Sequence, residues 1–416
     1  HMVVVMALLA AFSALTGGLI PKTLSSKLGI QVTLFTGVLI LSLPFSSWKG
    51  GSVSSFMDTW LKSYIAFVLT ASLIFTVEQF RRTVFVLSVA TVGVIYIAFH
   101  ATKMNDDGRL SVTYGSLGNS NDLAATLLLG LPFILYAIVD KKRAAFIRIL
   151  FVGLVGILLI LIVRTGSRAC LLVLSLMAVL AFFKASGSNK IKVLVLSAVM
   201  ACVFPFIVSQ TLLDRYKTMF TDKVQASTSE EAASAIESTN ARKQLMRNAL
   251  ELTVRNPIFG VGIGNFAMKS AELEIANGRA PLWFTAHDVY LLISSETGVI
   301  CLSLYLSILF FSFKILFSIQ RAARREPELA EVGKLAYAVS MSIVAFAACG
   351  IFSTNAYNVQ LPILAGLTAA LERISKPLIV AADARRMQNF RDSIPITPGR
   401  FSIPSRPVPA SVAFSR

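Results

Sequence analysis

His287 is the residue best suited to proton transfer in this chain of 416 residues. It stands in the run Thr285-Ala-His-Asp-Val-Tyr, where a long polar segment ends and an apolar segment begins. A histidine at such a boundary can exchange a proton near neutral pH while facing both water and lipid. Of the other two histidines, His1 opens the chain and His100 ends an apolar run. The sequence therefore favours His287 as the catalytic base.

Two arginines frame a second candidate position, at a short connection between apolar runs. Arg164 and Arg168 are separated only by Thr-Gly-Ser, so both guanidinium groups are expected at the rim of a membrane. If the turn is helical, the two side chains share one face. That geometry suits two phosphate groups, because guanidinium binds phosphate through two donors and keeps its charge. The alternative for each arginine is snorkelling to the interface.

The composition excludes a water-soluble domain. Hydrophobic residues make up 55% of the chain, charged residues 15%, and the mean hydropathy is +0.71. Since about 20 apolar helical residues cross a bilayer, we predict an all-α polytopic membrane protein with about eleven transmembrane helices, and twelve if the full-length chain has a further N-terminal helix. The four cysteines all lie in apolar runs, so we expect no disulfide framework, metal or cofactor. The expected spans are 2–20, 30–47, 60–77, 83–102, 122–139, 145–163, 168–184, 191–209, 287–318, 334–353 and 357–373.

Basic turns set the expected orientation. Turns rich in Lys and Arg at 78–82, 140–143, 184–192 and 320–325 alternate every two spans and predict the cytoplasmic side. The formal charge of +17 is explained by these turns and the tail, so we expect the lipid bilayer rather than nucleic acid as the partner.

The opposite side then receives four connections and residue 1. An external start with an odd span count indicates either that an earlier helix is missing or that His1-Met2 comes from cloning. The four external connections are 103–121, 164–168, 210–286 and 353–357.

The long polar loop at 210–286 is predicted to be partly helical. Ser227 and Glu230 have the spacing of a capping box, and a second helix is expected from near Thr239 to Asn256. Arg242 then lies on its first turn. Leu245, Ala249 and Leu252 are expected on one face of this helix. The glycine-rich run that follows, at 258–266, favours a compact turn that returns the chain to the membrane, because it lacks the context of a nucleotide loop.

Four cationic or protonatable residues thus share the external side. Positive-inside bias disfavours cations there, so the cluster of Arg164, Arg168, Arg242 and His287 favours an anionic ligand. Acidic residues in the same loop are alternative structural partners.

Several of these runs resemble the O-antigen ligase and polymerase superfamily. The resemblance covers most of the chain and rests on the order, spacing and common side of its pieces. Two features depart from the family pattern: Asp288 stands where Asn is usual, and eleven spans are counted where about twelve are usual. The pieces are Gly115-Ser-Leu-Gly-Asn-Ser-Asn-Asp-Leu-Ala, Thr165-Gly-Ser-Arg168, Ser238-Thr-Asn-Ala-Arg242, Asn256-Pro-Ile-Phe-Gly-Val-Gly-Ile-Gly-Asn-Phe, Ala286-His287-Asp-Val-Tyr-Leu and Glu296-Thr-Gly298.

The resemblance implies transfer of a glycan from undecaprenyl pyrophosphate to an acceptor hydroxyl, on the periplasmic face of the bacterial inner membrane. It places Arg168 and Arg242 on the donor pyrophosphate and His287 near the acceptor hydroxyl. A single displacement without a metal would invert the anomeric carbon. The lipid A-core acceptor of an O-antigen ligase is favoured, with O-antigen polymerase and protein O-oligosaccharyltransferase as alternatives.

Three residues that follow the histidine in the sequence are also candidates for a role at the site. Asp288 is a candidate to orient or polarise a partner, and Tyr290 is a candidate to stack on sugar, with plain interfacial anchoring as the alternative for both. Glu296 lies about half a helical rotation from His287 and is expected to be an arginine or packing partner.

Two other classes of function compete with the enzyme. A transporter or flippase of lipid-linked glycans would place ionisable groups and broken helices at mid-membrane, and the sequence predicts neither here. A non-catalytic scaffold would not need His287 and the arginines together. Residues 1–373 are expected to form the transmembrane glycosyl-transferring domain, which includes the periplasmic loop 210–286. The basic, Pro- and Ser-rich tail 374–416 is expected to be cytoplasmic and disordered.

Overall fold

The computed structural model describes residues 19–104, 109–112, 117–207 and 230–393. These residues are almost entirely helical, with one two-stranded antiparallel ribbon. A 3₁₀ turn, Leu43–Phe45, extends α2, and a π-helical turn, Phe56–Trp60, joins α3 to α4. In chain order the elements are α1 Leu19–Leu24, α2 Lys27–Ser42, α3 Lys49–Ser55, α4 Leu61–Leu73, α5 Val77–His100, β1 Thr102–Met104, β2 Leu110–Val112, α6 Ser120–Val139, α7 Ala145–Arg164, α8 Arg168–Lys184, α9 Gly187–Ile207, α10 Glu230–Arg255, α11 Phe266–Ala276, α12 Val289–Arg325, α13 Ala330–Gly350 and α14 Gln360–Ser393.

The membrane character of the chain is clear from its helices. Within the described residues, six helices are long and apolar enough to cross a membrane. The structure also has helices at the other predicted spans from residue 30 onward, although these do not meet the same length and hydropathy criterion. The predicted count of about eleven is therefore not confirmed, and the span predicted at 2–20 lies mostly outside the described residues. The six are Lys27–Phe45, Val77–His100, Ser120–Val139, Ala145–Arg164, Val289–Arg325 and Pro327–Gly350.

Two helices form the centre of the bundle. In the most apolar window of α6, 72% of residues are buried, and 67% are buried in the span that contains α13, against 28% in α5. Helices buried on all sides must be covered by other helices, whereas α5 presents most of its apolar surface outward, as a helix that faces lipid does. The outer helices thus shield α6 and α13 from lipid.

The predicted cytoplasmic turns gather at one end of the bundle, which we call the basic-turn end. The Arg81 side chain, 9% exposed, forms ion pairs with Glu78, with Asp140 at 3.7 Å and with Glu331 at 3.5 Å. Lys142 also pairs with Glu331, at 3.4 Å. These contacts join α5, α6 and α13, so the turns that the charge pattern assigned to one side do lie together.

The predicted external connections meet at the opposite end, which we call the histidine end. Here the turns at 164–168 and 353–357, the start of α6 and the start of α12 are linked by the hydrogen bonds described below. The two groups of turns are therefore sorted as the sequence predicted.

Candidate functional site

The turn between α7 and α8 separates the two arginines that the sequence placed together. Gly166 adopts a φ of 62°, a left-handed conformation that ends α7, and Ser167 starts α8 by accepting a bond from the Cys170 amide at 3.4 Å. Arg164 is therefore the exposed last residue of α7, and Arg168 is the half-buried first residue of α8. The turn is not helical, so the condition for a shared face is not met.

A buried arginine that the sequence analysis missed supports this turn. Arg109 is 8% exposed, and its Nε donates to the Thr165 carbonyl at 2.9 Å. One of its terminal nitrogens donates to Asn121 Oδ1 at 3.0 Å. Arg109 therefore ties the 164–168 turn to the Asn-rich start of α6. The sequence signal that could have identified Arg109 is its position in the predicted external connection 103–121, where cations are disfavoured.

The neighbouring residue of α6 holds a different turn. Asp122 is 6% exposed, and its Oδ1 accepts bonds from Ser353 Oγ and from Asn355 Nδ2, each at 2.9 Å. A buried carboxylate is stable only when its lone pairs are satisfied in this way. The Asn-rich element thus connects both turns of the histidine end.

Helix α10 carries Arg242 near its middle. Leu245, Ala249 and Leu252 are buried along one face, which confirms the predicted face of this helix. The helix starts at Glu230 rather than near Thr239, so the prediction that Arg242 lies on the first turn was wrong. Twelve helical residues of α10 precede Arg242, because the two predicted helices are continuous; the proposed cap Ser227 lies outside the described residues.

A buried carboxylate braces α10 from the side. Glu274 of α11 is 1% exposed, and its Oε1 accepts bonds from Asn248 Nδ2 at 2.6 Å and from Gln244 Nε2 at 2.7 Å. Its Oε2 accepts from Arg279 Nε at 2.5 Å. Since Gln244 stands two residues after Arg242, this contact sets the rotation and height of α10 close to that arginine.

The glycine-rich run 258–266, with Pro257 before it, packs into a break in α12. At Gly298 the backbone has φ 84° and ψ 172°, so the helical hydrogen bonds stop there. The freed carbonyls of Ser295 and Glu296 accept from the amides of Val261 at 2.9 Å and Gly262 at 2.7 Å. The Val299 amide donates to the Pro257 carbonyl at 2.8 Å, so the break is satisfied by backbone, as a membrane interior requires.

This arrangement corrects one expectation and explains the glycines. The sequence analysis predicted no broken helix, and α12 is broken at Gly298. A Cβ at Gly298 would overlap the Ile258 carbonyl, and a Cβ at Gly260 would overlap the backbone of Glu296. The run is the compact turn that was predicted, and close backbone approach is the reason for its composition.

Glu296 anchors the same loop to α11. Its side chain is buried, and its Oε1 accepts from the Phe266 amide, at the first residue of α11, at 3.1 Å. The Gly264 amide and the Tyr357 hydroxyl also lie close to this carboxylate. Glu296 is therefore a packing partner of backbone amides and a tyrosine.

A second layer fixes the glycine-rich run from outside. The Ser47 amide donates to the Val261 carbonyl at 3.0 Å, and Ser52 Oγ donates to the Ile263 carbonyl at 2.9 Å. Phe45 and Phe259 stack with ring centroids 4.4 Å apart. The connection between α2 and α3 thus belongs to the histidine end, although no functional residue was predicted there.

His287 lies directly before α12 and is half-buried. Asp288 caps the helix, because its Oδ1 accepts from the amides of Tyr290 at 2.8 Å and Leu291 at 2.9 Å. Burial, and then the nearby positive charge of Arg242, lower the pKa of His287 to about 4. The imidazole is therefore neutral at pH 7, which is the form that can accept a proton.

Asp288 and Tyr290, the first and third residues after the histidine, have contacts within the protein. Burial raises the pKa of Asp288, against the opposing effect of its two amide donors. The Tyr290 hydroxyl donates to the Ala347 carbonyl at 2.7 Å, and its ring lies edge-on to Tyr305 with centroids 6.3 Å apart. Both residues thus hold the start of α12 in place, and their contact with substrate stays a prediction.

Arg168 begins α8 and His287 precedes α12, and both helix starts lie near the end of α13. Cys170, in the first turn of α8, has its thiol near that of Cys349 of α13, and the Cys170 Sγ donates to the Asn121 carbonyl at 3.8 Å. A cavity with room for about one water, 20 Å³, is lined by Cys349, Asn355 and Val289, the first residue of α12. The structure brings Arg242 near enough to His287 for its charge to act on the imidazole, and it places Arg164 and Arg168 at the same end of the bundle.

The fold and the site together define a multi-pass helical membrane protein with a basic, histidine-containing site at one end. Residues 153–306 match the model of the O-Antigen ligase family, which confirms the resemblance noted in the sequence. All six predicted site residues fall inside the matched segment. The match indicates a ligase- or polymerase-type glycosyl-transferring enzyme. No curated protein matches the chain significantly.

Proposed function

We propose that this protein transfers a glycan from a polyprenyl-pyrophosphate-linked donor to an acceptor hydroxyl at the histidine end. The donor lipid is undecaprenyl pyrophosphate, and the histidine end faces the periplasm in the inner membrane. The observation that carries the proposal is the position of Arg242 beside a histidine that is neutral at pH 7. The guanidinium of Arg242 suits an anionic leaving group, and the neutral imidazole of His287 suits a hydroxyl that must lose its proton.

The reaction is a single displacement at the anomeric carbon. The acceptor oxygen forms a bond to that carbon while the bond to the pyrophosphate oxygen breaks, so the configuration inverts. The acceptor proton passes to the neutral imidazole of His287. Arg168 and Arg242 neutralise the pyrophosphate as its charge develops. The N-terminus of α8, a helix of 17 residues that begins at Arg168, adds a favourable dipole for an anion.

Donor binding should also strengthen the base. Before the donor binds, burial and then the charge of Arg242 hold the pKa of His287 at about 4, and such an imidazole accepts a proton weakly. A bound pyrophosphate opposes the arginine charge, which removes the part of the shift due to Arg242. The base therefore becomes effective when the donor is in place. This order protects the activated site from reaction before both substrates are bound.

The remaining site residues support this geometry. Asp288 fixes the backbone next to His287 through the helix cap, and Tyr290 ties the start of α12 to α13. Arg164, exposed at the end of α7, is available to the outer phosphate or the first sugar of the donor. Acceptor choice separates an O-antigen ligase, which uses lipid A-core, from a polymerase or a protein O-oligosaccharyltransferase. We favour lipid A-core.

The break in α12 does not favour a transporter, although broken helices are common in that class. Its free backbone groups are paired with the glycine-rich run, and Glu296 is paired with backbone amides, so neither is left to bind a solute.

The test is reconstitution of the purified protein with a defined undecaprenyl-pyrophosphate glycan. Lipid A-core, a second donor molecule and a hydroxyl-bearing peptide are offered in separate reactions. The proposal expects a covalent glycan product with inverted anomeric configuration and release of the lipid pyrophosphate. Movement of the intact donor across the membrane, with no product on any acceptor, would contradict it.

A further inference from the structure

A cavity at the basic-turn end lies between the last turns of α8 and α12. Its volume is about 470 Å³. Leu180, Phe183 and Phe317 supply apolar walls, and all three side chains are exposed. Lys184, Arg321 and Arg324 supply cationic groups on the same cavity, and Gln320 completes the lining. The cavity is thus both apolar and strongly basic.

The positive charges of this cavity are not neutralised by its walls. Within the part of the chain that the structure describes, no carboxylate lines it. Lys184 is instead held over aromatic rings, with its Nζ 4.9 Å from the centroid of Tyr337 and 5.6 Å from that of Phe317. At the other cationic cluster of this end, Arg81 is surrounded by Glu78, Asp140 and Glu331. The two clusters therefore differ, and only the second is balanced by the protein itself.

Gln320 adds a polar group at the base of the cavity. Its side chain is 5% exposed, and its Nε2 donates to Ser340 Oγ at 2.7 Å, which fixes the amide. Its Oε1 accepts no hydrogen bond within the described residues. The cavity therefore combines three cations with an apolar wall, and Gln320, one of its lining residues, has a buried amide oxygen that accepts no hydrogen bond within the described residues.

We propose that this cavity binds the headgroup of an anionic glycerophospholipid from the adjacent leaflet. The phosphodiester would lie among Lys184, Arg321 and Arg324, a headgroup hydroxyl would donate to Gln320, and the acyl chains would follow Leu180, Phe183 and Phe317. Basic groups next to the membrane surface attract anionic lipids, and pockets between helices give that attraction a fixed place. The apolar wall favours a lipid over a free phosphate ion, because a phosphate ion has no apolar surface to pack against that wall.

The site would join the far ends of two helices that begin at the candidate active site. Helix α8 begins at Arg168, and α12 begins two residues after His287. A bound lipid would therefore hold together the opposite ends of the helices that position these two residues.

The experiment measures lipid binding to the purified full-length protein. The protein is delipidated in detergent, and native mass spectrometry then quantifies bound phosphatidylglycerol and bound phosphatidylcholine. A variant with Lys184→Gln, Arg321→Gln and Arg324→Gln is compared with a charge-matched control that carries Lys141→Gln, Arg325→Gln and Lys376→Gln. The control residues are basic groups of the same end that do not line the cavity.

We expect phosphatidylglycerol to bind the wild-type protein and the control, and to bind the cavity variant at least about tenfold more weakly. Phosphatidylcholine should bind all three proteins weakly, and excess inorganic phosphate should not displace phosphatidylglycerol. Equal losses in the two triple variants, or displacement by inorganic phosphate, would overturn the proposal. If the cavity variant does not fold, Lys184→Gln against Lys141→Gln replaces it, and equal phosphatidylglycerol binding by these two variants would also overturn the proposal.

Discussion

The guanidinium charge of Arg242 acts on the imidazole of His287, and together with burial it brings the pKa of that histidine to about 4. The two residues are 45 positions apart: Arg242 lies on α10, and His287 lies two residues before α12. Their proximity depends on the packing of α10 against the start of α12, where Thr253 and Ser294 hydroxyls lie 2.9 Å apart. Much of the chemistry proposed for this protein depends on that pair.

Arg242→Gln should raise the pKa of His287. Removing the positive charge removes the second cause of the shift, whereas burial remains, so the value should move from about 4 toward 6.5 without reaching it. NMR of the histidine in protein with His1 and His100 replaced would measure it. Arg247→Gln, at an exposed position of the same helix, should leave the pKa unchanged. An equal shift in both variants would show that the effect is not specific to Arg242.

The same shift has a consequence for stability. The unfolded chain binds a proton at His287 near pH 6.5, whereas the folded protein binds it only near pH 4. The contribution of this histidine to stability is therefore intact above pH 6.5 and is lost as the pH falls toward 4.

The acid limb of kcat/KM, which reports the free enzyme, should lie near pH 4. The acid limb of kcat should lie higher, because bound donor opposes Arg242.

Lysine replacements test the donor site. Arg168→Lys and Arg242→Lys keep the charge but lose the planar pair of donors, so each should reduce transfer by about tenfold or more. Arg255→Lys is the control, since that exposed arginine pairs with Glu251 on the outer face of α10. The assay is initial rate with a defined lipid-pyrophosphate glycan. Full activity in both site variants would remove the pyrophosphate assignment.

Glu274→Gln should displace Arg242 without touching the site itself. The neutral amide weakens the bonds to Asn248, Gln244 and Arg279 that brace α10. We expect a lower kcat and a higher pKa of His287, because Arg242 then spends less time beside the imidazole. Glu272→Gln is the matched control, since Glu272 is exposed on the same helix and pairs with half-buried Lys269. A loss of thermal stability with an unchanged histidine pKa would mean that Glu274 has no positioning role.

Gly298→Ala tests the packed break in α12. A left-handed φ costs an alanine about 1–2 kcal/mol, and its Cβ would also overlap the Ile258 carbonyl. The melting temperature should therefore fall. Gly93→Ala, at a helical position with open space around it, should leave the melting temperature unchanged or raise it slightly. Similar melting temperatures for the two variants would contradict the role assigned to Gly298.

Sequence alone predicted the helices and the sorting of turns because these depend on local apolar runs and on charge near the membrane. It also identified the face of α10, where Leu245, Ala249 and Leu252 repeat at helical spacing. It did not predict the break at Gly298, because the groups that satisfy the break come from Pro257, Val261 and Gly262 in another segment. Such a pairing leaves no periodic signal.

For the candidate site, the sequence identified candidate residues but not the contacts that position them. His287 and the arginines stood out by residue type and membrane side. The brace by Glu274 and the two turns held by Arg109 and Asp122 depend on contacts between distant segments, and the sequence shows these residues only as isolated charges. The non-helical turn at Gly166 likewise separated Arg164 from Arg168, although their spacing suggested a shared face.

The central claim is that His287 accepts the proton of the acceptor hydroxyl, and its most direct test is His287→Ala. Transfer from a defined undecaprenyl-pyrophosphate glycan is measured beside donor binding and thermal stability. The account predicts a fall in transfer of about 10²–10⁴-fold, with donor binding and melting temperature close to wild type, because a base acts in the transition state and the arginines hold the donor. A well-folded His287→Ala protein that transfers glycan at a near wild-type rate, or that loses donor binding as fully as the arginine variants, would contradict it.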